Sequence, residues 1–129
     1  MTRGNVKMSI LYKYNKKPVF KYDNKKERDY TSLIELANNN GLKPVYEVHA
    51  LFINTKSKFG NAPIIVTEDF FVNAPHHLLK TVQDMIADTE IIKLVNDRKL
   101  GFKIYDYNGK HGHGYSVEWV EIEDDGLPF

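Results

Sequence analysis

Apolar and polar positions alternate most clearly near the end of the chain, where "FKIYDY" places Phe102 and Ile104 on one face of a strand and Lys103, Tyr105 and Tyr107 on the other. "YSVEWVEI" follows after "NGKHGHG", whose Asn108-Gly109 and later glycines predict the turn of a hairpin. Upstream, "VYEVHALFIN" is apolar at most positions, as expected of a central strand covered on both faces. "KSKFGNAP" reads as the turn into a second such strand, "IIVTEDFFV", with Glu68-Asp69 marking a bulge or a strand end.

Helical spacing appears in two places. Ser32 followed by Glu35 has the spacing of a capping box, and with Gly41 as a stop it predicts a helix of about two turns over "SLIELANNN". Asn73-Ala-Pro75 opens a longer segment in which Leu78, Leu79, Val82, Met85 and Ile86 recur at helical spacing. A fresh start near Asp88 and a stop at Gly101 fit one kinked helix or two consecutive ones. At the other end, "MSILYKY" and "PVFKY" read as a hairpin joined near residues 15–17, followed by the polar loop "YDNKKERDY".

The order is strands, short helix, two strands, longer helical segment, two strands. This is an α+β, mainly β chain, and its helical segment lies between the third and fourth major strands. That placement matches the five-stranded OB-fold barrel, a frequent binder of oligonucleotides, with the short helix near residues 32–40 as an addition.

Composition narrows the chemistry. A chain of 129 residues is one domain's worth, and the absence of cysteine excludes disulfide scaffolds, thiolate metal sites and cysteine nucleophiles. The N-terminal stretch has no apolar run of signal-peptide or membrane length, so a cytoplasmic protein is expected. The net charge of +1 is unevenly spread: residues 1–60 carry twelve Lys/Arg against five Asp/Glu, and residues 118–129 carry five acids and no base. A basic, aromatic-rich first half suits a polyanionic partner.

Three constellations fit single-stranded nucleic acid, which binds by stacking its bases on aromatic rings and pairing its phosphates with lysine. The first is the face formed by Lys103, Tyr105 and Tyr107. The second is the N-terminal hairpin, where Tyr12, Tyr14, Phe20 and Tyr22 are interleaved with Lys13, Lys16, Lys17 and Lys21. The third is the tip "NTKSKFGN", where Lys56 and Lys58 flank Phe59. In each case the competing role is packing: tyrosines at a barrel end or subunit contact, and Phe59 as the anchor of its loop.

Catalytic and metal chemistry find less support. His111 and His113 alternate in a glycine-rich turn and His76-His77 are adjacent, but no acidic or cysteine partner stands at a familiar ligand spacing, so no metal or other cofactor is expected. There is no nucleophile elbow and no phosphate-binding glycine loop, so no enzyme is expected either.

The chain ends "EIEDDGLPF". Acidic residues followed by a terminal Pro-Phe resemble the C-terminal tip of bacterial single-stranded DNA-binding proteins, whose usual ending is a run of aspartates followed by Ile-Pro-Phe. The resemblance covers the last seven residues, with Gly126 interrupting the acids and Leu127 in place of Ile. It implies a docking peptide: the Phe129 ring enters a partner's apolar pocket behind Leu127 and Pro128, its carboxylate meets a basic side chain, and Glu123, Asp124 and Asp125 meet a basic rim. A tip joined almost directly to the last strand looks like the small single-strand binding proteins of bacteriophages or mobile elements. The expectation is an OB-like single-stranded DNA-binding domain over residues 1–122 and a flexible acidic tip over 123–129. Such a protein would coat single strands as a homo-oligomer, apart from any membrane, and recruit replication or recombination proteins. The alternative is an interaction or regulatory factor that presents the tip without binding DNA.

Overall fold

The computed structural model describes residues 19–58, 60–110 and 112–123. Among the described residues, seven strands and three α-helices occur in this order: β1 (Asp29–Ser32), α1 (Leu33–Asn40), β2 (Tyr46–Glu47), β3 (Ala50–Asn54), β4 (Ala62–Val66), β5 (Phe70–Asn73), α2 (Leu79–Ile86), α3 (Thr89–Asn96), β6 (Leu100–Gly109) and β7 (Gly112–Glu121). The class is α+β with strands in the majority, as the sequence pattern implies. The strands form a four-stranded sheet, β1-β5-β4-β3, and a three-stranded sheet, β2-β6-β7, and these do not close into one barrel. All pairings are antiparallel except that of β1 with β5.

The expected single strand "VYEVHALFIN" is two strands belonging to different sheets. The Val48 N–H donates to the Leu100 carbonyl at 2.9 Å, while the next N–H, that of His49, donates to Val66 at 2.7 Å. One residue on each side of this corner therefore satisfies its backbone in a different sheet, and Val48 is fully buried at the seam. "IIVTEDFFV" likewise divides into β4 and β5, with Thr67-Glu68-Asp69 as the hairpin turn. Thr67 Oγ1 accepts from the Phe70 N–H at 3.1 Å, which closes it.

Caps explain the helices. Ser32 Oγ accepts from the Glu35 N–H at 3.2 Å, and Gly41, at φ 79°, turns the chain away after α1 while its N–H donates to Ala37. Pro75 precedes a 3₁₀ turn, His76–Leu78, that leads into α2. Asp88 caps α3 by accepting from the Glu90 and Ile91 N–H groups, so the longer segment is two consecutive helices. Gly101 is not their stop: α3 ends at Asn96, Arg98 takes a left-handed φ of 61°, and Gly101 lies inside β6. There a Cβ would stand 2.9 Å from Val45 Cγ1 and 3.0 Å from the Tyr46 carbonyl oxygen, so the glycine admits the close approach of β2.

The core lies between the sheets and the helices. α2 packs on β3 and β4 through Val82 and Met85, and α3 packs on α2 and β6 through Val95. Across the smaller sheet, the register aligns Tyr46, Phe102 and Trp119 in one row. The Tyr46 ring stacks on Phe102 at 5.2 Å and Trp119 meets Phe102 edge-on at 6.2 Å. Among the described residues no helix is long and apolar enough to cross a membrane.

Candidate nucleic-acid interface

The alternation in β6 is realised in the structure. Phe102 is fully buried and Ile104 nearly so, whereas Tyr105 and Tyr107 are 46% and 40% exposed, with ring centroids 6.3 Å apart. Residues directly opposite on an antiparallel partner share a face, so this face also holds Glu118 opposite Lys103, the buried Ser116 opposite Tyr105 and Gly114 opposite Tyr107. Glu118 dilutes the positive charge expected beside Lys103. The connection of this hairpin lies within the expected segment "NGKHGHG" but is shorter than it: Asn108 and Gly109 are paired strand residues opposite His113 and Gly112.

Tyr107 is held from two sides. Its ring lies so close to the backbone of Gly114 that a Cβ there would stand 2.8 Å from its Cζ and Oη. The His77 ring meets it edge-on at 6.1 Å, and His77 Nε2 is in turn 3.0 Å from Oγ of the buried Ser116. His77 is thus a neighbour that positions an exposed ring. Its role was not legible in the pair His76-His77 because Ser116 lies 39 positions away.

Beside Tyr107 opens a cleft of about 330 Å³ whose lining includes Ser32, Asn73, Pro75 and Gly114. A second cleft, of about 390 Å³, lies under the β3–β4 turn, lined by Ser57, Gly60, Asn61, His76 and, again, Asn73. Tyr107 thus stands in the wall of one cleft and Ser57, which lies between Lys56 and Lys58, in the wall of the other, with Asn73 in both. Lys56 is exposed, and its backbone N–H donates to Asn54 Oδ1 at 3.0 Å. A third cleft, of about 290 Å³, has the opposite character: Glu47, Glu68 and Asp69 line it.

That acidic side is a bonded network. Lys26 Nζ lies 2.7 Å from Glu68 and 3.4 Å from Asp69, and these contacts raise the lysine's pKa, chiefly through the hydrogen bond with Glu68, and lower that of Glu68. His49, nearly buried, lies 3.0 Å from Glu47 and 3.7 Å from Glu68. Burial first, and the charge of Arg98 second, lower its pKa despite these carboxylates.

Several expected contact residues take other roles. Phe20 is a core residue, 6% exposed, with no ring face left for a base, and residues 19–22 form no strand. Two distant side chains tie this segment down: Asn96 accepts from the Lys21 N–H and donates to the Val19 carbonyl, while Arg98 donates to the Lys21 carbonyl. Tyr22 is half-buried, and its ring centroid stands 5.5 Å from the guanidinium of Arg28, which donates to the Thr67 and Asp23 carbonyls. Tyr12, Lys13, Tyr14, Lys16, Lys17 and Phe59 lie outside the described residues, as do Asp124, Asp125, Leu127, Pro128 and Phe129 of the tip; Glu123 is exposed.

One exposed ring escaped the reading of the sequence. Tyr30 of β1, 61% exposed, leans on Phe71 at 5.0 Å on the outer strand of the larger sheet. The polar run "YDNKKERDY" concealed that strand. Of the turn histidines, His113 has Asp106 as its partner at 3.1 Å across the β6–β7 pair. Among the described residues no three potential metal ligands gather. Compared with protein-family models, curated proteins and solved structures, the chain matches none.

Proposed function

We propose that this chain binds single-stranded DNA without sequence preference, using the outward face of β6. The observation that carries the reading is the exposed pair Tyr105 and Tyr107, backed on the opposite face by the fully buried Phe102. Rings presented on a rigid strand lose little freedom on stacking with bases, and every base has a face to stack. The clefts that share Asn73 offer amide and imidazole groups to the backbone of such a strand. In this reading the two sheets, joined at Val48–His49, act as an open OB-like scaffold, and no chemical step is catalysed. The acidic Leu-Pro-Phe ending supports recruitment of replication or recombination proteins, and self-association would let neighbouring copies coat a strand, as in a phage or mobile-element protein.

A second reading, an interaction factor that presents the tip without holding DNA, draws on Glu118 beside Lys103, which lowers the attraction of this face for phosphate. A mobility-shift titration with oligo-dT and with a mixed-sequence single strand distinguishes the two. Similar shifts of both oligonucleotides support the first reading, and no shift of either supports the second.

A further inference from the structure

We infer that the bound single strand does not stay on the tyrosine face but runs from Tyr107 across Asn73 and His76 to the turn between β3 and β4. This rests on the single-strand reading and adds to it a path and two contact residues. The two clefts share Asn73 in their linings, and the consecutive residues Pro75 and His76 line one each. Each cleft falls within the roughly 300–1,000 Å³ range of sites that hold small ligands. Tyr107 lines the first cleft, and Ser57, next in sequence to the exposed Lys56, lines the second.

Charge selects the occupant. Among the described residues neither cleft has a carboxylate in its lining, whereas the third cleft is lined by Glu47, Glu68 and Asp69. What the two clefts do present is a short row of side chains able to donate: the Asn73 and Asn61 amides and the His76 imidazole. A phosphodiester chain with unpaired bases is held by donors and cations along its backbone and by aromatic rings against its bases. A duplex, too wide to follow clefts of this size, does not fit the same path. His76 and Asn73 are both exposed, so their removal leaves the core intact.

The test measures anisotropy with fluorescein-labelled oligo-dT of about 6 and about 20 nucleotides, lengths chosen to fall within and beyond a single-domain site. The proteins compared are the full chain, Tyr107→Ala, Lys56→Ala and the double variant Asn73→Ala with His76→Ala. The expected result is that Tyr107→Ala weakens both oligonucleotides, while Lys56→Ala and the double variant bind the longer one several-fold more weakly and remove much of the affinity gained with length. If those two bind like the wild type while Tyr107→Ala is impaired, the path is wrong and the single-strand reading stands. If the unaltered protein binds neither oligonucleotide, both fall together.

Discussion

The Tyr107 ring rests on the backbone of Gly114, directly opposite it in the β6–β7 pair, with space for a hydrogen at that α-carbon and none for a methyl group. A Cβ would stand 2.8 Å from Cζ and Oη and 3.2 Å from Cε1. The obstructing atoms are the far end of a side chain, so Gly114→Ala moves the ring and spares the fold. The expected outcome is a several-fold loss of oligo-dT affinity with an unchanged thermal midpoint. A variant that binds normally would separate the ring's position from binding.

Tyr105→Ala and Tyr107→Ala each remove one stacking surface and are expected to cost about 1–3 kcal/mol of single-strand affinity. Both rings are substantially exposed, so stability changes little. Phe102→Ala, on the buried face of the same strand, is expected to cost about 3–5 kcal/mol of stability instead. Urea unfolding and oligonucleotide titration on the three variants check this division.

Gly101→Ala gives the opposite pattern from Gly114→Ala. Its Cβ would meet the Tyr46 carbonyl at 3.0 Å, a backbone atom that cannot swing aside, as well as Val45 and Ile122. Overpacking at the junction of β2 and β6 is expected to destabilise by about 1–3 kcal/mol, read as a lower urea midpoint.

His49 makes stability depend on pH. Burial, and then Arg98, lower its folded-state pKa below the ordinary value of about 6.5, with Glu47 and Glu68 opposing. Between the two values the unfolded chain binds more proton, so this contribution is complete above about pH 6.5 and is lost as pH falls toward the folded-state pKa. The urea midpoint of the wild type is expected to fall through that window, and that of His49→Gln to fall less. Identical slopes in the two proteins would remove His49 as the cause.

Removing residues 123–129 takes away the three acidic side chains of Glu123, Asp124 and Asp125. DNA affinity is expected to stay the same or rise, most visibly at low salt where repulsion is least screened. Capture of replication proteins is expected to be lost, with Phe129→Ala alone removing most of it. Loss of DNA binding with partners retained would contradict the assignment of the two tasks.

What was legible in the sequence was local. Strict alternation from Phe102 to Tyr107 needs only the two-residue period of a strand, and the Ser32 and Asp88 caps need only the next turn of helix. The switch of sheets at Val48–His49 had no such signal, because both halves of "VYEVHALFIN" are apolar and the difference lies in which distant carbonyl each N–H meets. Phe20 looked like its neighbouring tyrosines until Asn96 and Arg98, more than seventy positions away, tied its segment down. The candidate site divides the same way. Tyr105 and Tyr107 could be found by period, but the clefts beside Tyr107 and under the β3–β4 turn depend on Asn73 and His76 arriving from another part of the chain.

The central claim, binding of unpaired strands through stacked rings and phosphate contacts, is tested most directly by one fluorescence titration. Labelled oligo-dT and a duplex of equal length are titrated with the full chain at about 50 mM and about 200 mM salt, a range over which counterion release is pronounced. The account predicts tighter binding of the single strand at both concentrations, a marked weakening at the higher one, and persistence there of the preference over duplex, because stacking does not depend on salt. Equal affinity for the two forms, or no binding of oligo-dT at the lower concentration, would contradict it.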